Sequence, residues 1–331
     1  MSNPLVSIVT PCYNGEEVVH RLLDSIIDQT YSNIEIIFVD DGSNDRTKEI
    51  VLSYNGRFSD KNIKLIYMYQ KNAGQAEAIN AGLKKISGDY LCWPDSDDYL
   101  EPQSIEKRVR ILEKFPEYGV VTSDAFIRNI EDLTSVTRLA AAKQAGRYDE
   151  NQFELLLSSN SMFLPGTHMI RVSCFNKTNP DGQIAGTRGG QNWQILLPLY
   201  FSYKRYFLDE PLYNYVVYQS SHSQGDDTER KKIHRCNEHE KIITETLSSI
   251  NMEPNIRAKY IFETRIRYVR KRLSIAFFSN NQALVHELYE ILIKEKQSRR
   301  KEFIYVLAIR NKYIYKLFIY IYAITKTIIG K

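Results

Sequence analysis

Short apolar, β-branched runs alternate with stretches of helical period through the first hundred residues. Leu5–Thr10 and Ile34–Val39 read as strands buried on both faces. Between them, Val18, Val19, Leu22, Leu23, Ile26 and Ile27 recur at helical spacing, with Asn14 placed to cap that helix. Arg46–Leu52 predicts a second helix, with Ser43 or Asp41 as its cap. Ile63–Tyr69 is a third strand, Ala73–Ile86 a third helix, and Tyr90–Trp93 a short strand that runs into acidic residues. A strand–helix order of this kind predicts an α/β fold with a doubly wound, mostly parallel sheet flanked by helices. Ligands of such sheets sit beyond the carboxyl ends of the strands. Tyr13, Asp40, Asp41, Asp95 and Asp97 fall there. Residues from about 100 to 225 are of mixed pattern. From about 226 the pattern is helical, so the expected division is 1–225 and 226–331, the first part with halves that meet near 100.

Composition narrows the picture. With 331 residues, of which 43% are hydrophobic, the chain can bury a sizeable core. Cys12, Cys92, Cys174 and Cys236 are far apart and form no CxxC pair, which points away from a disulfide framework and towards a reducing compartment. Met1–Val9 lacks a basic stretch followed by a long apolar one, so no signal peptide is expected. The net charge of +4 hides an asymmetry: residues 251–331 hold 17 Lys and Arg against 6 Asp and Glu, and the rest of the chain is therefore acidic. A basic end of this kind suits an anionic partner, a membrane surface or a nucleic acid.

Three segments carry chemistry. Trp93-Pro94-Asp95-Ser96-Asp97-Asp98 gathers three carboxylates at a strand end, where they repel one another unless a cation sits among them. Hard divalent ions take oxygen ligands and bridge to phosphate. A solvated acidic turn that caps the next helix would look the same. Val39-Asp40-Asp41-Gly42-Ser43 puts two more carboxylates at a strand end, able to accept from a nucleobase imide or a ribose hydroxyl, or simply to cap a helix. Pro11-Cys12-Tyr13-Asn14 places a tyrosine just past the first strand, where it can stack on a base or serve as a core residue in a turn.

In this order, with Gln29-Thr30-Tyr31, Asn72-Ala73-Gly74, Asn80-Ala81-Gly82 and Gly88-Asp89-Tyr90 between them, these segments resemble the family-two glycosyltransferases over about residues 4 to 125, and loosely to about 225. The resemblance implies a GT-A fold, a nucleoside-diphosphate-sugar donor, most often UDP-linked, and usually Mg²⁺ or Mn²⁺. By matching position it implies that Pro11, Tyr13 and Asp41 line the nucleoside site with Asp40 beside them. Asp95 would approach the ribose or sugar, and Asp97 would bind the metal on the diphosphate. His222, in Tyr218-Gln219-Ser220-Ser221-His222-Ser223, follows the family's late strand, here Pro211-Leu212-Tyr213-Asn214-Tyr215, and would complete the metal or diphosphate site.

One departure matters. Inverting members carry Glu-Asp before an aromatic residue, the Asp being the general base. Here the stretch reads Arg188-Gly189-Gly190-Gln191-Asn192-Trp193, and a neutral Asn cannot take a proton as a carboxylate does. Gln191, Asn192 and Trp193 are expected to contact the acceptor, and Asp181 is the nearest carboxylate that could serve as base. His234, Cys236 and His239 match no zinc spacing and are expected on a solvated helix face.

The last stretch, Phe303–Ile329, is rich in Tyr, Ile and Phe but interrupted by Arg310, Asn311, Lys312 and Lys316, too polar to span a bilayer. As one helix it would bring Lys301, Lys312, Lys316 and Lys326 into an arc of roughly 80°, with Arg310 opposite. Such a lysine stripe beside an apolar face fits an interfacial helix on an anionic membrane. The expectations are therefore a hexosyl transfer to a saccharide or lipid-linked acceptor in polysaccharide, O-antigen or capsule assembly, at the inner face of the plasma membrane. A non-catalytic nucleotide-sugar-binding scaffold is the alternative. Nucleic acid is disfavoured by the acidic ligand site, and a dehydrogenase by Pro-Cys-Tyr-Asn-Gly where GxGxxG would stand.

Overall fold

The structure, a computed structural model, describes residues 3–142, 144–218 and 228–329, with the side chains of the last helix given through 322 and at 324. The chain divides into two compact units, 1–219 and 220–331.

The first unit opens β1 (Val6–Cys12), α1 (Val19–Ile27), β2 (Ile34–Asp40), α2 (Thr47–Ser53), α3 (Asn55–Asp60), β3 (Lys64–Tyr69), α4 (Gln75–Leu83) and β4 (Tyr90–Cys92). It continues through β5 (Tyr99–Leu100), α5 (Ser104–Lys114), β6 (Tyr118–Asn129), β7 (Arg138–Leu139), α6 (Phe153–Leu157), β8 (His168–Arg171), α7 (Val172–Thr178), α8 (Gln191–Ser202) and β9 (Lys204–Val217). The sheet order is β3-β2-β1-β4-β8-β6-β9-β5, with β7 on β6. Strands β3, β2, β1 and β4 are parallel; β8 then joins β4 and β6 antiparallel, and β9 runs parallel to β6. The expected α/β sheet is present, mixed in its second half.

Every residue of β1 and β2 is buried, as their mainly apolar, β-branched character predicts; the buried Glu35 accepts from Ser7 Oγ (2.6 Å). Helix α1 buries Val19, Leu22, Leu23, Ile26 and Ile27. At about 2 kcal/mol for each large aliphatic side chain, that face contributes roughly 10 kcal/mol before chain entropy is counted. Helix α4 lies so close to the sheet that a Cβ on Gly82 would meet Val9 Cγ1 at 2.3 Å, which is why the position holds glycine.

Helix boundaries differ from the sequence reading for identifiable reasons. Asn14 does not cap α1. It has φ of 53°, donates its N–H to Ser43 Oγ (2.9 Å), and accepts from Asn44 N (2.9 Å), so it ties the loop after β1 to the loop after β2. Ser43 is thereby occupied and does not cap α2; Asp45 Oδ1 takes the Thr47 N–H instead (3.0 Å). The third predicted helix starts two residues late. Asp41 draws the N–H groups of Ala73 and Gly74 out of it, and Gly74 takes φ of 99°. Helix α3 was not foreseen.

The second unit is α9 (Glu229–Ser249), α10 (Pro254–Phe278), α11 (Gln282–Lys294), α12 (Arg300–Ile309) and α13 (Lys312–Ile329). Its core gathers Leu273, Phe277, Val285, Leu288, Leu292, Tyr305 and Val306, with Phe277 and Tyr305 stacked at 4.1 Å. His234, Cys236 and His239 lie on α9, and among the described residues no cluster of His, Cys, Asp and Glu could hold a metal. The expected single terminal helix is in fact two. Asn311 Oδ1 accepts from Tyr313 N (2.9 Å) and Ile314 N (3.3 Å), starting α13 afresh, so Lys301 does not share a helix with Lys312 and Lys316. The side chain of Lys326 lies outside the described ones. Among the described residues no helix is long and apolar enough to cross a membrane.

Candidate active site

In-register pairing aligns the carboxyl ends of three strands: Cys12 faces Asp40 and Asp40 faces Tyr69. The loops that follow must meet there. Pro11 is inside β1 and buried, whereas Tyr13 stands half exposed just past its end. Asp40 and Asp41 are both buried, but differently employed. Asp40 closes its own turn, accepting from Ser43 N (2.8 Å) and from the Tyr67 hydroxyl (2.6 Å). Asp41 holds the next loop, accepting from Gln70 Nε2 (2.7 Å), Ala73 N (2.9 Å) and Gly74 N (2.8 Å). A carboxylate offers about four lone-pair positions. Three of those of Asp41 are taken by these donors.

That loop delivers Gln75, which sequence reasoning missed. Its Nε2 donates to Asp95 Oδ1 at 2.6 Å. Asp41 and Asp95, on separate strand ends, are thus joined through Ala73–Gln75. The signal was available: a glutamine directly after Asn-Ala-Gly, at the first turn of a helix whose start faces the acidic loop. Gly74 has no room for a side chain, because a Cβ would lie 2.5 Å from the Arg188 backbone.

The acidic loop divides its three carboxylates. Asp98 turns inward and is buried, accepting from Tyr213 Oη (2.5 Å) and Val216 N (2.8 Å). It is an anchor between the loop and β9, not a group free to meet a ligand. Asp95 and Asp97 remain half-buried. Burial, reinforced by the charge of Asp97, pushes the Asp95 carboxyl up to about 7. Burial and both neighbours raise Asp98 well above the usual carboxylate range. Two half-buried carboxylates that repel in this way are a donor set suited to a hard divalent cation. The described side chains do not form a three-ligand cluster by themselves, so a cation held there would take further oxygens, such as those of a phosphate. His222 lies outside the described residues.

Arg21, also missed, braces the loop: its Nη2 donates to the Asp97 carbonyl (3.1 Å) and to the Tyr218 hydroxyl. An arginine among the apolar positions of the first helix was the available clue.

Trp93 supports the loop from below. It is buried, stacked on His168 at 5.7 Å, and its indole N–H donates to Asn192 Oδ1 (2.9 Å). Asn192 Nδ2 donates onward to the Phe163 carbonyl (2.9 Å). Asn192 is buried at the start of α8 with both ends of its amide used. Its neutrality therefore has a structural reason: it must accept at one end and donate at the other. Gln191 is buried beside it, and Trp193 packs on Phe163 at 4.7 Å. Replacing Asn192 by Asp is expected to give no base. It would set a carboxylate oxygen against the Phe163 carbonyl and cost about 2 kcal/mol or more, measurable by denaturant unfolding, with no gain in transfer rate.

Asp181 is exposed in the turn after α7. The chain beyond it runs back along α4: Ile184 pairs with the Asn80 amide (2.8 Å both ways), and Arg188 O accepts from Gln75 N (2.8 Å). Asn80 is five residues from Gln75, about 7.5 Å along the helix. Asp181 thus starts this strap at its far end, and the strap brings Arg188, not Asp181, to the acidic loop's neighbour Gln75.

The family model for glycosyl transferase family 2 matches residues 7–178, more than half of the chain. An uncharacterized glycosyltransferase of Rickettsia typhi is 42% identical over 119 residues, 36% of this chain and 35% of its own. The putative glycosyltransferase EpsE of Bacillus subtilis is 30% identical over 213 residues, 64% of this chain and 73% of its own. The chain spans about a third of the length of the first curated relatives it matches. Among solved structures, S. aureus TarS 1–349 with UDP-GlcNAc is similar with TM-score 0.60 at 16% identity, over 85% of this chain and 83% of that one. The mannosyltransferase PcManGT of Pyrobaculum calidifontis, with GDP-Man and Mn²⁺, is similar with TM-score 0.55 at 16% identity, over 96% of this chain and 87% of that one. The fold is the expected GT-A architecture, and the chain belongs to glycosyl transferase family 2.

Proposed function

We propose that the protein transfers a sugar from a nucleoside diphosphate sugar, UDP-linked, to a saccharide or lipid-linked acceptor in surface-polysaccharide assembly, with inversion at the anomeric carbon. The observation that carries the reading is the meeting of Asp41, Gln75, Asp95 and Asp97 beyond the carboxyl ends of β2 and β4, in a chain of this family. The UDP-GlcNAc and GDP-Man complexes of the two structural relatives support a nucleotide-sugar donor.

In this reading Tyr13 stacks on the base, Pro11 walls the nucleoside site, and the remaining acceptor position of Asp41 receives a base or ribose hydrogen bond. Asp40 keeps the turn between them closed. Asp95, oriented by Gln75, meets the ribose or sugar. Asp97, held by Arg21 at its carbonyl, and His222 would hold Mg²⁺ or Mn²⁺. The ion, when bound, offsets the charge that develops on the diphosphate leaving group. Gln191 and Trp193, at the head of α8, face acceptor binding, while Asn192 fixes that helix to the Trp93 loop. The acceptor reading places the enzyme at the inner face of the plasma membrane.

A donor panel of UDP-, GDP-, dTDP- and CMP-sugars, with and without Mn²⁺, tests the reading through thermal shift and released nucleotide. A shift for one nucleotide class, dependent on Mn²⁺ and accompanied by turnover, is expected. Donor binding without turnover on any acceptor would favour the scaffold reading, which the carboxylate-free Asn192 position supports.

Proton competition gives a second check. Asp95 stands near half protonation at neutral pH without cation. Its raised proton affinity must be overcome when a cation binds, so Mn²⁺ binding is expected to release about half a proton at pH 7 and close to one at pH 6. Apparent affinity then falls about tenfold per pH unit below 7. Calorimetry in two buffers of different ionisation enthalpy reads the proton count; an identical heat in both would exclude it.

A further inference from the structure

Ten of the large apolar side chains that stand exposed lie between 303 and 324. On α12 they are Phe303, Ile304 and Leu307, each close to half exposed. On α13, Tyr313 is 83% exposed, Leu317 59% and Tyr320 65%, with Ile314 and Ile324 also exposed. At 100° per residue, these five residues of α13 fall within one arc of roughly 120°. The helix does not need that arc for its own packing. Tyr315, Phe318 and Ile319 lie on the opposite side and pack on the core of the second unit, Tyr315 and Phe318 against Phe277 at 5.3 and 5.2 Å. Burying a second apolar face in water-soluble form would be wasteful; leaving it exposed needs a reason.

The charge around the face supplies one. Lys312 and Lys316 are exposed and flank the arc on one edge. From residue 303 to the end the sequence has no Asp or Glu. The acid nearest along the chain, Glu302, is buried and spent on Arg299 N (2.8 Å) and Arg270 (3.5 Å). A second copy on this face by two-fold symmetry would bring lysines near lysines with no acid on α13 to pair them. A bilayer surface has what the face lacks: an apolar boundary to take Leu317 and Ile324, headgroup depth that suits tyrosine, and anionic phosphates for the lysines.

We propose that the Tyr313–Ile324 face of α13, aided by α12, docks the protein on a bilayer surface that contains anionic phospholipid, lying in the interface without crossing it. The proposal specifies the surface behind the membrane location given above, and rests on that reading only for what the docked enzyme would reach.

The test is co-sedimentation of the full chain with vesicles of phosphatidylcholine alone and of phosphatidylcholine with phosphatidylglycerol. Binding is expected to the mixed vesicles only, and to weaken with salt. Lys312→Gln and Lys316→Gln should each lower the partition coefficient about fivefold. Leu317→Glu with Tyr320→Glu should abolish binding, and because both residues are exposed the circular dichroism and melting temperature should not change. No binding by the wild type, or binding indifferent to both pairs of substitutions, would overturn the proposal. So would a wild-type dimer, split by Leu317→Glu, that ignores vesicles. Sugar transfer to a soluble acceptor is measured on the same samples. Wild-type transfer without vesicle binding rejects the surface alone, whereas wild-type vesicle binding without transfer rejects the enzymatic reading alone.

Discussion

Asp97→Asn is expected to lower kcat/KM at least about a thousandfold, a loss of roughly 4 kcal/mol of transition-state stabilisation, while leaving the protein as stable or more so. The two halves of this expectation come from one charge. Asp97 is half-buried at the end of the acidic loop, and its carbonyl, which the substitution leaves in place, is what Arg21 grips. The loop should keep its course. Removing the carboxylate also removes a repulsion felt by Asp95 and Asp98, both of which Asp97 helps to raise. The variant should therefore unfold at an unchanged or higher temperature, and Asp95 should titrate closer to an ordinary aspartate. Initial rates over a Mn²⁺ series, beside a melting curve, provide the check. Activity within tenfold of wild type would remove Asp97 from the cation site. A collapsed melting temperature would make it a structural residue instead.

The second large effect is on stability. Burial pulls the His168 imidazole down to about 3, although its contact with the Leu164 carbonyl works the other way. Nδ1 lies 2.9 Å from that carbonyl, so the ring proton sits on Nδ1. Nε2 is buried without a hydrogen-bond partner, and the ring stacks on Trp93. A histidine whose pKa is lower folded than unfolded leaves stability intact above the unfolded value, near 6.5. Stability then declines as pH falls, because the unfolded chain binds the proton first. At 1.36 kcal/mol per unit, the His168 contribution should fall by about 3 kcal/mol between pH 6.5 and 4. Asp95 and Asp98 act with the opposite sign over that range, since their raised carboxyls bind protons in the folded state. The wild-type curve is therefore a sum. The difference between wild type and His168→Asn isolates the histidine: it should shrink by about that amount from neutral pH to pH 4. A constant difference across the range would mean that His168 is already charged in the fold.

The first hundred residues were legible because their physics is local. Short runs rich in β-branched residues marked β1 and β2, helical spacing marked α1, and acids at strand ends marked the place where Asp41, Asp95 and Asp97 meet. Those signals lie within a few residues of each other. Contacts across long separations left no such mark. Nothing near Asp41 announces that it will hold Ala73 and Gly74, and nothing near Asn192 announces Trp93, 99 residues away. The Asn-Ala-Gly motif was read as resemblance only; the structure supplies its reason, since Gly74 must accept a positive φ against the Arg188 backbone. Asp98 looked equivalent to Asp95 and Asp97 because sequence shows a cluster of charges but not which of them turns inward. In the terminal stretch, helical period was correct on each side of Asn311 and failed across it, because one side-chain cap resets the phase.

The strap from Ile184 to Arg188 bears on how such enzymes can be recombined. It belongs to the second half of the first unit, yet it closes on α4 at Asn80 and again at Gln75, and Arg188 reaches Asn72 (2.7 Å). The Asn192–Trp93 bond crosses the same seam. A chimera spliced near residue 100 to exchange acceptor preference would part each of these pairs. Grafts would succeed only when the incoming half brings residues that fit the resident Asn72, Gln75, Asn80 and Trp93. The two halves of the first unit are thus fitted to each other at this seam, and a change in one asks for a matching change in the other.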